Sequence, residues 1–409
     1  MQRPADLPFY QDLRANSTQL DGHLVLFGVN MLLVLAGYTL AVRFGFGVLP
    51  LVRAVRTALA FGGLLWLLLA QIPARWPRLP GRHARLAAYA LAALATTPFA
   101  AEPLNAFGRW YTVVPFWAYV SLLAAHMQTR YGPADGLRRF AALVLCVYLF
   151  PVLTFYLQGN PFARLNIYGD ESRGFYSNQF GWASAICMAA LLDLRRHLGR
   201  SLWRTMAWAL GLAACAWLVL ISGSRSSYFA VILSIGVVVA LGRGVSLWAR
   251  VGILAAAVGL SFYLLDAEES ALNLRLRKTQ QQYRTEEPRI RALKTGFHVM
   301  ETQEHRIVTG IGFDSFLESI RILTGKPSVA PHNSYLEIFI DTGALVFAVF
   351  VLLLVLPALY KLIRYDVSRF ALALPLLIIP YFENNLGPGQ YMFFPWMFML
   401  CWYMHDARP

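Results

Sequence analysis

His332 is the residue best placed to move a proton. It precedes Asn333-Ser334-Tyr335-Leu336-Glu337. Ser334 and Glu337 have the spacing of a capping box, so a helix is expected to begin there. The partial positive charge of a helix N-terminus favours the neutral imidazole, which can accept a proton. The alternative is that His332 only hydrogen-bonds a loop carbonyl. Arg225 stands at the centre of Ser222-Gly223-Ser224-Arg225-Ser226-Ser227, between two apolar runs. A cation so close to a bilayer core is costly and is by default a functional hypothesis. Its planar fork suits phosphate oxygens; the alternative is a side chain that snorkels to lipid headgroups. After Pro288, Arg291, Lys294 and His298 recur at helical spacing as a basic stripe. Ile290, Leu293, Phe297 and Met300 form an apolar stripe beside it, with Arg289 on its far side. A helix of this layout suits a bilayer surface, its cations at phosphate depth; the alternative is a solvated charged face. The polar segment 170–179 adds Arg173. Cations plus a neutral base suit group transfer from a phosphate-activated donor. The cations would hold a polyanionic leaving group and the base would take a proton from an attacking hydroxyl. No Asp/Glu/His set has metal spacing, and no Gly-x-Ser-x-Gly occurs. The expected site therefore uses no metal and no cofactor.

The elements that must position these residues are membrane spans. Of 409 residues, 57% are hydrophobic and 14% charged, with a mean hydropathy of +0.50. A soluble domain carries about a quarter charged residues, so lipid is the expected solvent for most of this chain. The net charge of +14 comes from Lys and Arg between apolar runs, where it orients a membrane protein and does not argue for nucleic acid. Spans are expected near 23–42, 50–71, 85–101, 111–128, 138–158, 178–195, 203–222, 226–242, 247–265, 340–362, 369–386 and 391–404. The fold class read here is an all-α integral membrane protein of about twelve helices, with one large helical loop between the ninth and tenth. That divides the chain into 1–265, the loop 266–339, and 340–409.

Positive charge sets the side. Arg75, Arg78, Arg82 and Arg85, then Arg130, Arg138 and Arg139, then Arg195, Arg196, Arg200 and Arg204 fall in alternate connections. The rule that such connections stay inside puts them, and both termini, in the cytoplasm. Parity then places the segments around Arg173 and Arg225, and the loop 266–339, on the outer face. The polar stretch before residue 20 does not read as a cleaved signal, so the first span is expected to serve as its own. Cys146, Cys187, Cys215 and Cys401 lie within apolar runs and are expected to be packed free thiols. Gly310-Ile311-Gly312-Phe313-Asp314 reads as a tight turn and lacks the context of a nucleotide fingerprint.

Taken together these residues resemble the bacterial O-antigen ligases, within the O-antigen ligase/polymerase superfamily. The resemblance rests on Ser224-Arg225 after an apolar span, on Arg289 or Arg291 leading to Gly310 and Gly312, on His332 to Leu336 before a span, and on Gly174 to Asn178 opening one. The resemblance implies a glycosyltransferase of the inner membrane that acts on the periplasmic side in lipopolysaccharide biosynthesis. Its donor would be O-antigen on undecaprenyl pyrophosphate, and its acceptor a sugar hydroxyl of the lipid A–core oligosaccharide. Arg225 and a loop arginine would bind the pyrophosphate and His332 would act as general base, with inversion at the anomeric carbon. Arg291 is the favoured loop arginine and Arg289 stays open, because neither is followed four residues later by the tryptophan common in the family: Thr295 and Leu293 stand there. Arg173, Lys294, Asn333 and Tyr335 are the expected substrate-binding residues. A polymerase or a protein oligosaccharyltransferase would use the same donor. A transporter or flippase would need ionisable residues deep in its spans, whereas runs such as 206–221 and 345–359 are apolar.

Overall fold

The computed structural model describes residues 22–44, 48–75, 81–156, 177–195, 201–241, 288–325, 333–365, 367–382 and 393–405, with isolated helical positions between 248 and 259. Among these residues every regular element is helical. In chain order they are α1 (Gly22–Phe44), α2 (Val48–Arg75), α3 (Gly81–Leu94), α4 (Pro103–Tyr156), α5 (Ser177–Leu194), α6 (Leu202–Ser222) and α7 (Arg225–Leu241). Then come α8 (Pro288–Glu301), α9 (His305–Thr309), α10 (Phe316–Thr324), α11 (Ser334–Phe350), α12 (Leu356–Tyr365), α13 (Val367–Phe382) and α14 (Phe393–His405). A five-residue π segment, Val351–Val355, joins α11 to α12.

Among the described residues, three stretches are long and apolar enough to cross a membrane: Pro50–Leu69, Leu202–Ser222 and Ser334–Tyr360. Their outer surfaces are apolar as well. Leu51, Leu65, Leu210, Leu345 and Leu352 are each more than half exposed. In water such a belt would drive association; against lipid it costs nothing. The protein is an all-α, multi-pass membrane protein.

Most helices fall where hydrophobicity placed them, and two details differ. The expected spans at 111–128 and 138–158 are the two halves of α4. It turns at Gly132, where φ is 74° and ψ 171°, ahead of Pro133, whose ring disfavours a helical residue before it. Cys187, Cys215 and Cys401 are buried, but Cys146 is exposed. Helix α8 does not rest its apolar stripe on lipid. Ala292, Val299 and Met300 are buried there with Ile311, Phe316, Ile320 and Ile340, and Phe297 meets Phe339 at 6.3 Å between ring centres. The helical period was right, but protein covers the face. Helices α8 and α10 thereby form a small second core seated on the first turns of α11. The expected span at 247–265 lies almost wholly outside the described residues.

Candidate active site

Two turns and one helix start carry the polar chemistry. The first turn joins α6 to α7. Gly223 ends α6 in the left-handed region (φ 62°) and its N–H bonds Leu220 O, a glycine cap of the usual kind. Ser222, Ser224, Ser226 and Ser227 are all buried and are joined by hydroxyl contacts. Ser224 Oγ lies 3.0 Å from Ser226 Oγ and accepts from Ser227 Oγ at 2.9 Å. Trp182 Nε1 on α5 donates to Ser226 Oγ at 3.1 Å. Helix α5 comes this close because residue 181 is glycine: a Cβ there would stand 2.3 Å from Ser222 Oγ. The serines therefore fix the backbone, and Arg225, the first residue of α7, is exposed above them.

The second turn is Gly310–Ser315. It packs backbone to backbone against α11, which is itself broken at Gly343 (φ 75°, ψ 172°). Just before that break, Ile340 O accepts from Ile311 N at 3.0 Å and Asp341 O accepts from Gly312 N at 2.8 Å. Irregular backbone at membrane depth needs such partners. A Cβ on Gly310 would lie 2.2 Å from Asp341 O, and one on Gly343 2.1 Å from Val308 O. The glycines are there because two backbones touch, and no phosphate-binding loop is implied. Asp314 follows with φ 51°. Arg109, at the start of α4, holds this turn from the other side. It donates to Asp314 O and pairs with Glu318 Oε2 at 2.6 Å.

The helix start after His332 begins one residue earlier in its capping than the sequence suggested. Asn333 is the N-cap, with its Oδ1 accepting from Leu336 N at 3.0 Å, so Ser334 is the first helical residue. Asn333 is buried in that role. Tyr335 is half-buried, and its hydroxyl donates to Leu377 O on α13 at 3.3 Å. Helix α13 also packs against α7, so it is the shared neighbour of the elements that carry Arg225 and Asn333. Arg291 and Lys294 are exposed on α8. Arg289 lies in the first turn of α8, its side chain outside the described residues. His332 and Arg173 also lie outside them.

Three features were not read from the sequence. One is Arg109, whose partners lie more than two hundred residues away. Another is Arg306, whose Nη1 is buried without an acceptor among the described residues; burial lowers its proton affinity from the usual arginine value. The third is a cavity of about 40 Å³ walled by Asp314, Ser334, Glu337, Asp341, Trp117 and Trp396 among others. The spacing of Glu337 and Asp341, one helical turn apart, was the available signal for it.

The fold and these turns define a class: a helical membrane protein whose cationic and acidic side chains gather around the two turns and the start of α11. Residues 210–351 match the family described as O-antigen ligase. The match covers about a third of the chain and runs from α6 through the end of α11. No curated protein matches the chain.

Proposed function

We infer that the chain is an O-antigen ligase of the bacterial inner membrane. It transfers a preassembled glycan from undecaprenyl pyrophosphate to a sugar hydroxyl of the lipid A–core oligosaccharide on the periplasmic face. The observation that carries this reading is the family match at 210–351. That segment contains Arg225, Arg289, Arg291, Lys294, both glycine turns, His332, Asn333 and Tyr335. In this reading Arg225 and Arg291 hold the pyrophosphate, with Arg289, Arg173 and Lys294 adding positive charge around it. His332, ahead of the capped start of α11, takes the proton from the attacking hydroxyl. Asn333 sets the helix start, and Tyr335 anchors it to α13. Neutralising the leaving pyrophosphate and holding two lipid-anchored reactants together supply the barrier reduction. A single displacement inverts the anomeric centre, and no metal takes part. Both termini and the Arg-rich connections are cytoplasmic, and the segment 266–339 is periplasmic.

The test is display of surface polysaccharide in a ligase-null Gram-negative strain that supplies the cognate glycan and core. The wild-type chain is expected to restore a ladder on lipid A–core, with lipid-linked glycan accumulating in its absence. If single repeat units persist on the carrier and only this protein lengthens them, the chain is a polymerase. If protein acquires the glycan and lipid A–core does not, it is an oligosaccharyltransferase.

A further inference from the structure

We propose that the cavity between the Gly310–Ser315 turn and α11 is a binding site for sugar hydroxyl groups, those of the acceptor. This rests on the transferase reading above and assigns the second substrate a place. Ser334, Glu337 and Asp341 lie at helical steps along one face of α11, and all three line the cavity with Asp314. Asp341 is 4% exposed, and its Oδ1 is buried without a hydrogen-bond donor among the described residues. A buried carboxylate oxygen left so is costly unless something donates to it. Asp341 also has the charges of Glu337, Asp314 and Arg109 around it, and the Ser315 backbone N–H serves its carboxyl, which leaves Oδ1 as the unserved oxygen. Arg109 directs its guanidinium to Asp314 O and Glu318.

The electrostatics choose between the two substrates. The acidic lining disfavours a pyrophosphate, so the donor's charged group belongs with the arginines. Hydroxyl groups donate to carboxylates, and the indoles of Trp117 and Trp396 give the cavity an apolar wall beside them. Among the described residues no three Asp, Glu, His or Cys side chains are arranged to hold a metal ion. The cavity's volume of about 40 Å³ admits a few hydroxyl-sized groups, so the hydroxyl-bearing edge enters and the remainder of the ring lies outside.

The experiment uses the full-length protein in lipid nanodiscs. The probe is core oligosaccharide freed from lipid A, titrated by tryptophan fluorescence, since two tryptophans line the cavity. The wild-type protein is expected to bind it saturably. Glu337→Gln and Asp341→Asn each replace an acceptor oxygen by an amide without changing size, and each is expected to weaken binding roughly tenfold. In the transfer assay the same variants raise the acceptor KM by a similar factor and leave the donor KM unchanged. If Asp341→Asn impairs folding, Glu337→Gln decides the matter. Equal affinities and equal acceptor KM in wild type and variants overturn the proposal, as does a wild-type protein that binds no saccharide. Wild-type transfer with indifferent variants defeats the cavity site and spares the ligase reading. Saccharide binding that the variants lose, without any wild-type transfer, defeats the ligase reading and spares the cavity.

Discussion

Arg225 is exposed while the four serines around it are buried and make the hydroxyl contacts of the turn. That separation makes it a clean target. Arg225→Ala is expected to raise the donor KM or lower transfer by ten- to a hundredfold, about 1.5–3 kcal/mol for a charge-assisted contact, at unchanged membrane levels. Arg225→Lys keeps the charge and loses the fork, so it is expected to recover only a fraction of activity; full recovery would mean that bidentate geometry is irrelevant. At this scale the sequence was informative about cations near apolar runs, because charge beside a span is unusual. It was uninformative about Arg109 and Asp341. Arg109 matters through Asp314 and Glu318, and Asp341 through a cavity that several helices close. Spacing puts Glu337 and Asp341 on one helix face, but it reports neither what closes over that face nor the partners of Arg109.

Among the elements, the broken helix α11 and the Gly310–Ser315 turn form one joint. Gly343→Ala would need a positive φ for a residue with a Cβ and would place that atom 2.1 Å from Val308 O. It is expected to cost more than about 2 kcal/mol and to lower the amount of folded protein, read by fluorescence-detected size exclusion. Gly62→Ala, where the added atom meets open space, is the control and is expected to be tolerated. The clamp on the turn's other side is testable by charge exchange. Arg109→Glu is expected to destabilise the turn, and adding Glu318→Arg to restore part of the loss; a double variant no better than the single one would show that the ion pair does not hold the turn. The glycine turn itself was legible in Gly310-Ile311-Gly312, and the amphipathic period of α8 was legible too. What each packs against was not. The partner of Gly310 is Gly343, thirty-three residues on, and a lone glycine in an apolar run reads like any other. An apolar stripe looks the same whether protein or lipid covers it.

For the whole molecule, composition and charge alternation alone indicated a helical membrane protein. They could not show that the two helices on either side of Gly132 meet directly there, because a glycine-proline break and a short loop have the same hydropathy. The orientation is open to measurement. In a Cys146→Ser background, whose remaining cysteines are buried, Arg321→Cys is expected to react with a membrane-impermeant maleimide from outside the inner membrane. Asp135→Cys, beside the α4 break, is expected to react only after permeabilisation; the reverse pattern would invert the topology and move the site to the cytoplasm. The most direct test of the account is transfer by purified protein in proteoliposomes. Undecaprenyl-pyrophosphate-linked glycan and lipid A–core are supplied, and glycosylated lipid A–core and free undecaprenyl pyrophosphate are measured for wild type, His332→Ala and Arg225→Ala. Wild type is expected to form both products in equimolar amounts, and His332→Ala to lose both by a hundredfold or more. A wild-type protein that consumes no donor under these conditions, or a His332→Ala variant that transfers at the wild-type rate, would contradict it.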